Sequence, residues 1–261
     1  MKYQLLIIAT ILLSACTTKI KQANKRGLEH MKQNHYEQAI VEFSRIINED
    51  ADWYPAYYNR SVSYANTRQY KEALNDLNYI LTNFPDHANS YFNRGVIYEN
   101  LGLYANAIKD YSETIKLRPD FILAYHYRGI ARFRMDDLDG ALEDYTRALD
   151  MGKNMEMDVI KAKEFGLNSS ALYFNRGVVL QKKGYHQNAI EDYTQALAID
   201  PSSAKAYYNR GIAKMALSQA DEALKDLEIA SRLGFEQAGN IIRSYYRYYN
   251  GNHSVSNTSM L

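Results

Sequence analysis

The sequence predicts an all-α fold, a solenoid of stacked helical hairpins, and three observations carry the prediction. A small residue recurs every 34 residues at Gly27, Ser61, Gly95 and Gly129, and the same interval separates Gly177 from Gly211. Twelve residues after each of these six anchors stands an alanine: Ala39, Ala73, Ala107, Ala141, Ala189 and Ala223. Sixteen residues after each stands a bulky side chain: Phe43, Leu77, Tyr111, Tyr145, Tyr193 and Leu227. A further ring lies four residues before the anchor, at Tyr57, Tyr91, Tyr125, Tyr173 and Tyr207, with Ala23 in the first unit. Each unit reads as two amphipathic helices of about twelve residues, joined by a short turn such as Leu101-Gly102-Leu103-Tyr104 or Lys183-Gly184-Tyr185-His186. Pro85, Pro119 and Pro201 fall 24 residues past their anchors, where proline cannot continue a helix and marks the turn into the next unit. The small anchor and the alanine let the two helices approach, and the aromatics fill the wedge between neighbouring hairpins. One hairpin cannot bury its apolar faces alone, so stability comes from stacking.

Taken in chain order, the first element is a processing signal. Lys2 supplies a positive n-region, Leu5 to Leu13 an apolar stretch, and Ser14-Ala15 the small residues of a cleavage site. The apolar run, roughly nine residues, is well short of the ~20 that span a bilayer as a helix. The single cysteine, Cys16, has no partner for an internal disulfide. Leu13-Ser14-Ala15-Cys16 resembles the bacterial lipobox. That resemblance implies removal of a signal peptide, residues 1–15, and acylation of Cys16 with chains such as palmitate, ahead of a short linker over 16–19. Several acyl chains anchor a protein stably where one does not. By resemblance to the sorting rule of diderm bacteria, Thr17, which is not an aspartate, points to the periplasmic face of the outer membrane.

The six units resemble the tetratricopeptide repeat, over roughly residues 20–235. The resemblance implies a right-handed superhelical solenoid of six hairpins, with the first helix of each on the inner, concave wall, where the family binds peptides. Two departures stand out. From Gly129 to Gly177 the interval is 48 rather than 34, so fourteen extra residues lie within 151–170. With Met155, Met157, Val159, Ile160 and Phe165, that segment reads as a longer or additional short helix, either packed on its own hairpin or used for docking. Ser61 replaces the anchor glycine in the second unit. Beyond the sixth unit, residues 236–249 read as an amphipathic capping helix through Ile241, Ile242, Tyr245, Tyr246 and Tyr249, with a binding role for this aromatic-rich helix as the alternative, and 250–261 as a polar, disordered tail.

Two rows on the inner wall are candidates for ligand contact. Two residues before the anchor stand Asn59, Asn93, Asn175 and Asn209, with Lys25 and Tyr127 in the first and fourth units. An asparagine amide offers two donors and two lone pairs, enough to pair with an extended peptide backbone without reading its sequence. Beside them run Tyr58, Phe92, His126, Phe174 and Tyr208, an apolar or stacking strip. The alternative is that the same asparagines bond neighbouring helices. Lys25 and Lys205 are too few for a carboxylate clamp of the kind chaperone-binding relatives carry, and none is expected. A third pattern is structural: Arg26, Arg60, Arg94, Arg128, Arg176 and Arg210 precede the anchors, and sixteen residues later stand Glu42, Asp76, Asp110, Asp144, Asp192 and Asp226. This spacing sets base against acid on facing helices of one hairpin, or on adjacent hairpins.

Composition and motifs narrow the function classes. Thirty-one Lys and Arg against 30 Asp and Glu leave a net charge of +1, which provides no long-range field for nucleic acid. The six histidines show no metal-ligand spacing, and no nucleophile elbow, phosphate loop or paired-cysteine motif is present, so no metal, cofactor or enzymatic activity is expected. The expectation is a non-enzymatic adaptor held at the cell envelope by its lipid and binding other envelope proteins or peptides, similar to tetratricopeptide lipoproteins that keep wall hydrolases or proteases near the peptidoglycan. The alternative is a pilotin-like assembly factor for a secretin or pilus component. A soluble cytoplasmic co-chaperone would require the N-terminal signal to be false.

Overall fold

The computed structural model describes residues 18–154 and 169–256. The signal segment, Cys16, Met155 to Phe165 of the insertion, and residues 257–261 therefore lie outside the described residues. Thirteen helices and no strand are found among those described. They form six hairpins in tandem: α1 (18–32) with α2 (Tyr36–Glu49), α3 (Tyr54–Asn66) with α4 (Tyr70–Asn83), and α5 (Ala88–Asn100) with α6 (Tyr104–Leu117). These are followed by α7 (Ile122–Arg134) with α8 (Leu138–Asn154), α9 (Ser169–Lys182) with α10 (His186–Ile199), α11 (Ala204–Ala216) with α12 (Ala220–Arg232), and the single helix α13 (Glu236–Ser256). The chain divides into two compact units, Met1–Ala124 and Tyr125–Leu261, each assembled from these hairpins.

The anchor is small because a ring lies flat against it. A Cβ placed on Gly95 would come within 2.7 Å of the Tyr111 ring, and one on Gly27 within 2.7 Å of Phe43. The same holds at Gly129 and Gly177, where Tyr145 and Tyr193 approach to 2.8 Å. These bulky residues are fully buried between the two helices of their own hairpin, as are the conserved-interval alanines such as Ala107 and Ala189. Ser61 replaces glycine where the facing residue is the narrower Leu77, and its hydroxyl is satisfied by donating to the Tyr58 carbonyl at 2.7 Å.

Each hairpin turn ends its first helix in the left-handed region, seven residues past the anchor. Gly102 and Gly184 supply this without strain, whereas Asn34, Arg68, Asp136 and Ser218 reach φ values of 59° to 64° with a side chain attached. The turn closes the helix by a paired hydrogen-bond pattern: Gly102 N–H donates to Glu99 O at 2.9 Å and Leu103 N–H to Tyr98 O at 2.8 Å.

Two structural outcomes concern the departures from the period. The fourth hairpin's second helix, α8, has 17 residues against 14 for α6 and α10, so the chain leaves this hairpin as a helix extended by about one turn. The fifth hairpin nevertheless stacks directly on the fourth. Arg176 Nη1 donates to Thr146 Oγ1 at 3.4 Å, Lys182 pairs with Asp136 and lies 5.2 Å from the Phe133 ring centre, and Lys183 pairs with Asp139. At the other end, Phe235, Ile241 and Ile242 pack on Leu227, Ala230 and Ala238, so α13 covers the last hairpin as a cap. The sequence reading places a disordered tail from 250, but the helix continues to Ser256. Asn250-Gly251 lowers helix propensity without forbidding it. No proline follows, and each added residue extends an existing ladder rather than nucleating a new one.

Candidate functional site

Every hairpin is clamped by the arginine before its anchor, joined in the fourth by Arg132, which donates to Asp144 at 2.8 Å. Arg94 Nε and Nη2 donate to the two carboxylate oxygens of Asp110, both at 2.7 Å, and Arg60, Arg176 and Arg210 grip Asp76, Asp192 and Asp226 in the same way at 2.7–2.8 Å. Arg128 holds Asp144 at 2.7–3.0 Å, and Arg26 places both nitrogens on one oxygen of Glu42, at 2.8 and 3.1 Å. The acid is thus on the facing helix of the same hairpin. The third guanidinium nitrogen reaches the second helix of the preceding hairpin: Arg60 to Ser44 Oγ at 3.0 Å, Arg94 to Asn78 Oδ1 at 2.7 Å, Arg210 to Thr194 Oγ1 at 3.1 Å. A tyrosine four residues before the anchor stacks on the arginine, with centroid distances of 5.5–5.8 Å in hairpins two to six. Burial holds the Asp76, Asp110 and Asp144 carboxyls above the ordinary carboxylate value, against the pull of their arginines. The sequence reading missed the inter-hairpin arm. Its signal was a polar residue seventeen positions after the anchor, at Ser44, Asn78, Thr146 and Thr194.

This clamp fixes the first helix of each hairpin and so positions the two candidate rows, which are half-buried except at the exposed Lys25. The rows are bonded to each other between adjacent hairpins. Asn93 bonds the Tyr58 hydroxyl one hairpin back, and Asn175 Nδ2 lies 3.1 Å from His126 Nε2 one hairpin back. Where the earlier residue is Phe174, which has no polar side-chain atom, Asn209 makes no side-chain hydrogen bond among the described residues, and neither does Asn59. The ladder is therefore split. Asn93 and Asn175 spend part of their capacity on the next helix, the alternative left open by the sequence, and Asn59 and Asn209 keep all of theirs.

The aromatic strip is also partly committed to packing. Tyr58 meets His87 edge-on at 5.4 Å, Phe92 meets Phe121 edge-on at 5.0 Å and Tyr111 at 5.7 Å, and Phe174 and Tyr208 lean on Tyr193 and Phe235 at 5.8 and 4.7 Å. Burial raises the Tyr58 hydroxyl above its ordinary value, partly opposed by its bond from Asn93, and lowers His126 from 6.5 to about 4. Asn175 and His126 share a hydrogen bond through His126 Nε2, and His126 Nδ1 is buried without a partner among the described residues. Among the described residues no group of His, Cys, Asp and Glu is arranged to hold a metal, and no helix is long and apolar enough to cross a membrane.

Comparison with known proteins agrees with this geometry. Models of the tetratricopeptide repeat match residues 55–87 and 88–121, and a TPR repeat model matches 182–218. The TPR repeat-containing thioredoxin TDX of Arabidopsis thaliana is 39% identical over 77 residues, which is 30% of this chain and 20% of that protein, so the match spans about a fifth of the plant protein. Among solved structures, PilF of Pseudomonas aeruginosa superposes with a TM-score of 0.69 at 15% identity, over 85% of this chain and 97% of that one. YrrB, described as a TPR protein with an unusual peptide-binding site, gives 0.62 at 19% identity over 74% and 92%. MamA from Desulfovibrio magneticus RS-1 gives 0.60 at 18% identity over 71% and 97%. At these identities the likeness is one of fold.

Proposed function

Since the chain is a tetratricopeptide-repeat protein whose inner row keeps two uncommitted amides, we propose that it is a non-enzymatic adaptor that binds extended segments of other proteins along that row. The observation carrying the proposal is the split of the ladder: Asn59, next to Tyr58 in the first compact unit, and Asn209, next to Tyr208 in the second, are half-buried and make no side-chain hydrogen bond among the described residues. An extended peptide has an N–H and a C=O at every residue that a fixed amide can satisfy in pairs. Affinity then comes from backbone pairing and ring contact, with weak sequence preference. The adaptor is tethered to the cell envelope through lipid on Cys16, a reading supported by Leu13-Ser14-Ala15-Cys16.

Two measurements test it. A photo-cross-linking residue placed at Asn209 in the membrane-attached protein should form adducts with other envelope proteins, and the same residue at the exposed Lys225, on a second helix, should form few. Equal yields at both positions would remove the proposal. Mass spectrometry of the mature N-terminus should find an acylated Cys16, and Cys16→Ser should move the protein from the membrane to the soluble fraction. The identity of the adducts separates wall enzymes, as the adaptor reading expects, from a secretin or pilus subunit, as an assembly factor would give.

A further inference from the structure

Five of the six hairpins fill one place with the same group, and among the described residues the first does not. In hairpins two to six the clamp arginine is stacked on a tyrosine ring of its own helix at 5.5–5.8 Å. In the second hairpin that ring also lies flat on Tyr79, with centroids 4.1 Å apart and planes 21° from parallel. In the first hairpin the tyrosine is replaced by Ala23, and the position of Tyr79 is held by Arg45. A cleft of about 300 Å³ opens there, lined by Lys19, Ile20, Ala23, Arg26, Arg45 and Ile46, among others. Apolar cavities half that size, about 150 Å³, admit a benzene ring.

Among the described residues Arg26 lacks both covers that its counterparts have, a tyrosine ring and the second helix of a preceding hairpin. Its side chain is 49% exposed, against 14–20% for the clamp arginines of the other five hairpins. Two hydrogen bonds to one oxygen of Glu42 hold its guanidinium, which carries no ring among the described residues. The charge around the cleft is positive on balance: Lys19, Arg26 and Arg45 stand against Glu49, an exposed carboxylate of the same lining, and Glu42, which accepts from both arginines.

We propose that this cleft binds a tyrosine side chain carried on an acidic segment of a partner protein, its ring seated on Ala23 and Ile46 and stacked against Arg26. The fixed guanidinium supplies the cation for the ring face, the aliphatic floor takes the ring edge, and Lys19 and Arg45 face the flanking acids. The site lies on the end of the first hairpin and uses none of the inner-row residues, so it stands or falls independently of the groove.

The test uses the full mature protein and blocked tripeptides. Titration of ¹⁵N-labelled protein with Asp-Tyr-Asp should shift the Arg26 side-chain Nε–H signal and the Ile46 amide saturably, more weakly at high salt, and Asp-Ala-Asp should bind roughly tenfold more weakly. Ala23→Tyr places the missing ring inside the chain. It should abolish the titration and raise the melting temperature, and the smaller Ala23→Leu should also block binding if the tyrosine variant folds poorly. Equal response to both tripeptides, unchanged binding in Ala23→Leu, nuclear Overhauser contacts from the protein's own lipidated N-terminus filling the cleft, or end-to-end self-association by sedimentation would each overturn the proposal.

Discussion

His126 and the Arg94–Asp110 pair show how single side chains set local stability. Burial lowers His126 to about 4, below the 6.5 of an exposed imidazole, so between these values the unfolded chain binds more protons than the folded one. Its contribution is fully present above about pH 6.5 and is lost as pH falls to about 4, a loss of up to roughly 3 kcal/mol. Denaturant midpoints measured from pH 7 to pH 4 should fall, and His126→Phe, which keeps a ring but cannot titrate, should fall less. The Asp110 carboxylate is almost wholly buried against Arg94, so Arg94→Ala or Asp110→Ala alone should each destabilise by about 3–5 kcal/mol. The double variant should lose less than the sum by about 1–3 kcal/mol, and additive losses in a double-mutant cycle would exclude direct coupling. At this scale the sequence was half legible. The 34-residue period aligns equivalent positions and so exposes the arginine–acid interval, but it cannot say which equivalent of the neighbouring hairpin each side chain meets. That Asn175 turns to His126, while Asn209 finds only a phenyl ring at Phe174, depends on contacts between repeats.

The helical hairpin was the most legible element, because anchor, alanine and ring recur at fixed intervals that only a facing pair of helices makes useful. Its turn was less so. Gly102 and Gly184 announce a left-handed residue, but Asn34, Arg68, Asp136 and Ser218 adopt the same conformation without that signal. Context imposes it, because the second helix must return against the first. For arginine, whose side chain gains nothing from αL, the strain is about 1 kcal/mol or more. Arg68→Gly should therefore raise stability by roughly 1 kcal/mol despite glycine's greater unfolded-state entropy, seen as a higher urea midpoint with unchanged slope. A lower midpoint would mean that the Arg68 side chain contributes more than its backbone costs.

Across the whole molecule, each hairpin depends on its neighbours for burial, so the ends carry particular weight. Removing α13 should uncover Leu227, Ala230 and the half-buried Ile212 of the last hairpin, lower the melting temperature and promote aggregation, which static light scattering would register. The cap was legible in sequence through Ile241 and Ile242; its continuation to Ser256 was not, because residues 250–256 carry no apolar period in the sequence. The clamps have a practical corollary for protein engineering. Each arginine lies sixteen residues from its carboxylate, and that span never leaves its hairpin, so new sequence added at a hairpin-to-hairpin connector leaves every grip unchanged. The chain has already accepted fourteen additional residues at such a junction while Arg176 still reaches Thr146. A fluorescent reporter spliced between Asn154 and Ser169 is thus placed where the architecture itself has made room for cargo.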